Sequence, residues 1–247
     1  MNRYNPRNSQ GFTLIELMLA MTFISLLLLA IAMTTIQISG IYTKGITFQS
    51  VNQAGRTLSD DLRRDIAVSA PFTVDNPDRA NDTSRRYVKQ FTSGSESGGR
   101  LCVGNVSYVW NYGKYIKGGV ASSVNKYLNP DSNTQIRLVR VVDSGGQLCS
   151  DVALKVDKSA ATELLGGKDN LDLALHDFTI TSSPAATDAA SGQKMYVISF
   201  TIGTNEQAAL TTNNTQCVPP GSTDASKDAD WEYCAVNVFD IVVRAGN

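Results

Sequence analysis

Histidine is almost missing from this sequence: His176 is the only one in 247 residues. A metal centre built from several imidazoles is therefore excluded. A Ser/His/Asp triad would rest on that single residue, which sits in the strand-like stretch Leu175-His176-Asp177-Phe178. A Walker-type phosphate loop is also absent, and the Gly-Gly pairs at 98–99, 118–119, 145–146 and 166–167 read as turns. Surplus positive charge is lacking too: 22 Lys and Arg stand against 23 Asp and Glu, a net charge of −1. A large electrostatic footprint for nucleic acid needs the opposite balance. The aromatic and basic stretch from Tyr108 to Lys117 could stack on single strands, but it is more simply a β-hairpin surface. Asp224, Asp228 and Asp230 crowd one stretch, yet their spacing fits no EF-hand and Lys227 sits among them. The expectation is a protein that is not an enzyme, with no catalytic residue, metal or cofactor, and without nucleic acid as a partner.

What is present begins at the N-terminus. Residues 1–10 are polar and carry Arg3 and Arg7. From Leu17 to Tyr42 the chain has no charged residue. That run is long enough to cross the hydrocarbon core, about 30 Å, as a helix. The basic flank should stay on the cytoplasmic side, with the rest of the chain translocated. A conventional secretory signal places small residues after its apolar core. Here the small residue, Gly11, precedes it. Cutting at Gly11 removes the basic leader and keeps the apolar helix. Glu16 lies at the start of the run, where a carboxylate at membrane depth costs a few kcal/mol. It either stays solvated at headgroup level or has a partner.

Beyond Lys44 the pattern becomes amphipathic. Val51, Ala54, Leu58, Leu62 and Ile66 recur at spacings of three and four, with Gln53, Arg56, Ser59, Asp60, Arg63 and Arg64 on other faces. Pro71 ends the pattern. One helix from Thr13 to Ala70 would be about 85 Å long. Gly40 and Gly45 are its expected weak points, since Gly lowers helix stability by about 1 kcal/mol relative to Ala.

The string Gly11-Phe12-Thr13-Leu14-Ile15-Glu16-Leu17, behind a basic leader and ahead of an apolar run, resembles the prepilin cleavage and methylation motif of type IV pilins and type II secretion pseudopilins. The resemblance implies that a prepilin peptidase cuts between Gly11 and Phe12 and methylates the new amino group of Phe12. It implies that Glu16 pairs with the amino terminus of a neighbouring subunit during assembly. Its other partners would be further pilin subunits, the inner-membrane assembly machinery and, before assembly, membrane lipid. The segment Arg56 to Ile66 is similar to minor pilins of the W type and J-type pseudopilins. Many major pilins have a Pro in the membrane half; this chain has none between Phe12 and Ala70. The implied function is a structural subunit of a type IV pilus, a minor one, held by a single pass in the inner membrane and then exported to the cell surface. The alternatives are a periplasmic type II secretion pseudopilin and a tip adhesin or DNA-uptake minor pilin.

The expected organisation is a cleaved leader over 1–11, a transmembrane assembly helix over 12–42, its amphipathic continuation over 43–70, a polar loop over 71–99 and a β-rich head over 100–247. Strand candidates are Arg100 to Trp110, Ile136 to Val142, Val152 to Val156, Leu171 to Thr181, Met195 to Gly203 and Val236 to Arg244. They read as one antiparallel meander with a face covered by the long helix, an α+β architecture. The four cysteines, Cys102, Cys149, Cys217 and Cys234, contain no CxxC pair and allow three pairings. A head outside the cytoplasm would favour disulfides. The resemblance implies a Cys217–Cys234 bridge bounding a C-terminal loop, worth about 3 kcal/mol, and with it a Cys102–Cys149 bridge.

Overall fold

Apolar residues with two kinds of pattern predict two kinds of surroundings for one helix. The structure, a computed structural model, describes residues 11–74, 86–92, 95–116, 135–151, 154, 156, 158–165, 172–182, 192–205, 207–211, 216–218, 222 and 233–246. Two compact units divide the chain, Met1–Thr43 and Lys44–Asn247. Helix α1 runs over Leu14–Ala67, three residues short of the expected end, and closes through a turn at Val68 and Ser69. It continues without a break through Gly40 and Gly45.

In the first unit α1 is apolar on every side and exposed, from Leu14 and Ile15 to Ile41 and Tyr42. By length and composition it can cross a membrane. Its hydroxyls are compatible with that. Thr22 donates to the Leu19 carbonyl, Ser25 to Met21, and Thr34 and Thr35 to Ile31. Each is satisfied within the helix, so none needs a partner from outside.

In the second unit α1 becomes the wall of a head. Thr47, Val51, Gly55, Leu58, Ser59, Leu62, Asp65 and Ile66 are buried. Five strands form one antiparallel sheet in the order β1 (Tyr87–Thr92), β2 (Ser95–Val103), β3 (Val106–Asn111), β4 (Leu138–Val142) and β5 (Ala161–Glu163). Three more, β6 (Leu173–Ser182), β7 (Lys194–Thr204) and β8 (Val236–Ala245), form a second. The main core joins both sheets to α1, through Val51, Leu58, Leu62 and Ile66 from the helix and Trp110, Phe178, Tyr196 and Phe200 from the strands. Gly55 has a packing reason: a Cβ there would lie 2.0 Å from the Phe239 ring on β8. After the helix, Phe72 stacks on Tyr196 at 4.3 Å, and the Tyr196 hydroxyl accepts from the Phe72 N–H and donates to its carbonyl.

Two satellite cores lie beyond. On the other face of the five-stranded sheet, Val88, Val109, Val139 and Val141 pack with Leu148 of the short helix α2 (Gln147–Ser150). Cys102 and Cys149 are bonded there. Asp143 accepts from the backbone N–H groups of Gln147 and Leu148, while buried Arg100 donates to the carbonyls of Leu148, Asp151 and Leu154. The third cluster gathers Ala209, Leu210 and the bonded pair Cys217 and Cys234.

Several expectations change. The α+β class stands, but the meander is two sheets. The strand expected over Arg100 to Trp110 is a hairpin, β2 and β3, turning at Gly104, whose φ of 57° lies in the left-handed region open to glycine. The segment expected as loop over 71–99 contains β1 and the start of β2. Gly98 and Gly99 are strand residues rather than a turn, and Trp110 lies against both: a Cβ on Gly99 would sit 2.3 Å from the indole, and one on Gly98 2.3 Å from the Trp110 carbonyl oxygen. Leu154 and Val156, from the strand expected over Val152 to Val156, lie outside any strand.

One buried carboxylate ties α1 to the five-stranded sheet. Asp65 accepts from Arg140 Nε at 2.7 Å, Arg140 Nη2 at 3.0 Å and the Tyr108 hydroxyl at 2.6 Å. Burial by itself would raise its pKa. The hydrogen bonds from Arg140 and Tyr108 outweigh that and hold it below the usual carboxylate range. Glu163 goes the other way: burial raises it despite three backbone donors, Leu138, Arg137 and Leu165. Burial lowers His176, whose Nε2 meets the Thr204 carbonyl at 3.0 Å.

Removing one partner of a buried pair strands the other. Asp65→Ala should therefore destabilise the head by about 3 kcal/mol, and Asp65→Ala with Arg140→Met by less, as read by denaturant unfolding. Acidification should act through His176. Its folded pKa is depressed, so the unfolded chain binds the proton first and stability falls as pH drops below the ordinary value of 6.5. Melting temperatures at pH 7.5 and 5.5 should show this loss in the parent and not in His176→Gln, where only the opposing trend of Glu163 remains.

Candidate functional site: the N-terminal element

Gly11, Phe12 and Thr13 precede the first turn of α1. Phe12 is 89% exposed, and nothing lies within 4 Å of where a Cβ on Gly11 would be. Among the described residues nothing crowds the peptide between Gly11 and Phe12. Thr13 is the N-cap: its carbonyl accepts from the Leu17 N–H at 3.3 Å.

Glu16, three residues on, reaches back. Its Oε2 accepts from the Thr13 N–H at 2.9 Å and from the Thr13 hydroxyl at 2.8 Å, while the Glu16 N–H meets Thr13 Oγ1 at 3.4 Å. This is a capping box, in which two otherwise unpaired helix-end donors are satisfied reciprocally. A carboxylate in the first turn also meets the positive end of the helix dipole. Both effects make a charge tolerable at the head of an apolar helix. They also hold it one residue from the nitrogen of Phe12. The signal for it in the sequence is the spacing Thr13-x-x-Glu16, which the distance of Glu16 from Gly11 does not reveal.

The other candidates do not assemble into a second site. The partner of His176 is a carbonyl, at a bulge in β6 between Leu175 and Asp177, and not a nucleophile. Tyr108, Trp110, Tyr112 and Ile116 are buried, so the aromatic stretch builds core and offers no stacking platform. No group of three or more His, Cys, Asp or Glu that could hold a metal occurs among the described residues. Arg3, Arg7, Lys117, Asp224, Lys227, Asp228 and Asp230 lie outside the described residues.

The family model described as the prokaryotic N-terminal methylation motif matches residues 6–36. No curated protein and no solved structure matches the chain. The match spans the leader side of Gly11, the capping box and most of the apolar run. The motif implies processing by prepilin peptidase and assembly with other pilins. The N-terminal motif, with the long apolar helix and antiparallel sheets behind it, makes the chain similar to the type IV pilins and pseudopilins.

Proposed function

We propose that the chain is made as a prepilin, cut between Gly11 and Phe12, methylated on the Phe12 nitrogen and assembled through α1 as a low-copy subunit of a type IV pilus. The observation that carries this reading is the first turn of α1. A carboxylate is held beside the future amino terminus, at the start of a helix whose apolar sides find no cover among the described residues. Cutting turns the Phe12 amide nitrogen into an ammonium. In a low-dielectric surrounding that ammonium and a neighbour's Glu16 attract strongly. Burying either alone is costly, and burying both together offsets much of the cost. Before assembly, the apolar half would anchor the chain in the cytoplasmic membrane with the head outside. The low-copy assignment rests on the likeness of Arg56 to Ile66 to W-type minor pilins; the likeness of the same segment to J-type pseudopilins supports a type II secretion pseudopilus as the second reading.

Glu16→Ala and Glu16→Lys should both be cleaved at close to the normal extent. Both should be strongly depleted from sheared filaments, as read by immunoblot of the membrane and filament fractions. Normal incorporation of both variants would overturn the pairing role of Glu16.

A further inference from the structure

Helix α1 contains three glycines, Gly40, Gly45 and Gly55, and no proline. Packing explains Gly55, which leaves room for the Phe239 ring. It does not explain Gly45, where a Cβ would meet nothing within 4 Å. The residues around Gly40 and Gly45 are also poor helix formers. Residues 34–47 read TTIQISGIYTKGIT, with eight β-branched side chains in fourteen positions. The fourteen residues before them hold three, and the fourteen after them hold two. Such side chains lose χ1 freedom against the preceding turn, and propensity summed over a window of this length carries weight. Ser39 and Gly40 stand side by side in the middle of the window, and Gly/Ser pairs are where helices kink. The Thr43 hydroxyl donates to the Ser39 carbonyl at 3.0 Å, a back-bond of the sort that bends helices.

We infer that α1 carries a hinge over residues 39–45, at which the helix bends between its apolar half and the half built into the head. The position follows from what holds the helix on either side. Beyond it, Thr47 is the first buried residue of α1, and Val51, Leu58, Leu62 and Ile66 then clamp the helix in the main core. Before it, the charge-free run lies in lipid, where an opened turn would leave N–H and C=O groups without partners. That run ends at Tyr42. Ile41, Tyr42, Lys44, Gly45 and Ile46 are exposed, so neither packing nor hydrocarbon holds this stretch closed. Water can reach the backbone groups that a bend releases there. The hinge stands in for the proline that α1 lacks: glycine weakens the helix without removing a donor, so the turn stays formed at rest and opens under load. The inference rests on the proposed function in one respect, that the apolar half is seated in a bilayer.

The test uses the full chain in vesicles of phosphatidylethanolamine and phosphatidylglycerol. The native cysteines are bonded in two disulfides, so introduced thiols take the spin labels. Thr35→Cys with Gln49→Cys spans the hinge. Gln49→Cys with Arg63→Cys spans the same number of residues within the part packed on the head. On an unbent helix both pairs would be about 21 Å apart. Pulsed dipolar spectroscopy should give a distance distribution at least twice as wide for the first pair as for the second. Gly40→Ala with Gly45→Ala favours the unbent helix about fivefold per site. The two alanines together should narrow the first distribution to the width of the second and leave the second unchanged. A first distribution as narrow as the second in the parent, or one whose width is indifferent to the alanines, overturns the inference. Filament incorporation of Glu16→Ala is scored separately, and its outcome decides the assembly reading without bearing on these distances.

Discussion

The register between α1 and its head depends on two contacts that cannot slide. Apolar packing alone would leave that register loose. Leu58, Leu62 and Ile66 repeat every four residues, so a shift of one turn would set Leu on the place of Leu and Leu on the place of Ile. Such a shift costs little in buried area. It is forbidden by Gly55, because only a residue without a Cβ admits the Phe239 ring, and one turn away stands Ser59 or Val51. It is forbidden again by Asp65, whose carboxylate takes three donors from Tyr108 and Arg140. A one-turn slide would leave a buried acid without its guanidinium partner. Polar groups inside a core often add little stability, and fixing register is their best attested use.

The same helix solves the opposite problem in its first half. There no side chain among the described residues covers it, and its hydroxyls are satisfied locally. Thr22, Ser25, Thr34 and Thr35 bond to carbonyls one turn back, and Glu16 bonds to Thr13. An apolar helix with self-satisfied hydroxyls is indifferent to whether lipid or another such helix surrounds it. That indifference is what a subunit needs if it is to leave one surrounding for the other without losing hydrogen bonds.

Much of this was legible in the sequence because it is local. The spacing of Val51, Leu58, Leu62 and Ile66, the charge-free run to Tyr42 and the Gly11-to-Glu16 string each sit within a few turns. What was not legible is carried by distant residues. Asp65 looks like one more charge in a run with Asp60, Asp61, Arg63 and Arg64. Its partner Arg140 lies 75 residues away, so nothing local marks it as buried. Gly98 and Gly99 look like a turn until Trp110 is folded over them. β1 reads as loop from the sequence because its neighbours are polar and the stretch of β2 that it pairs with is Gly-rich. Division into two sheets is invisible to alternation, which reports each strand's faces but not its neighbours.

The covalent bonds follow the sizes of the cores. The large core, where both sheets meet α1, contains no cysteine. Each disulfide lies in one of the two satellite clusters instead, Cys102–Cys149 under α2 and Cys217–Cys234 beside Leu210. A cluster of a few aliphatic residues removes too little apolar surface from water to offset the entropy of ordering the chain around it. A cross-link lowers that entropy in the unfolded state and lets a small cluster hold. Where burial is extensive, as along Val51 to Ile66, no such help is required. The head is thus held to its helix by packing and by the Asp65–Arg140 ion pair, and its outlying clusters are held to the head by sulfur.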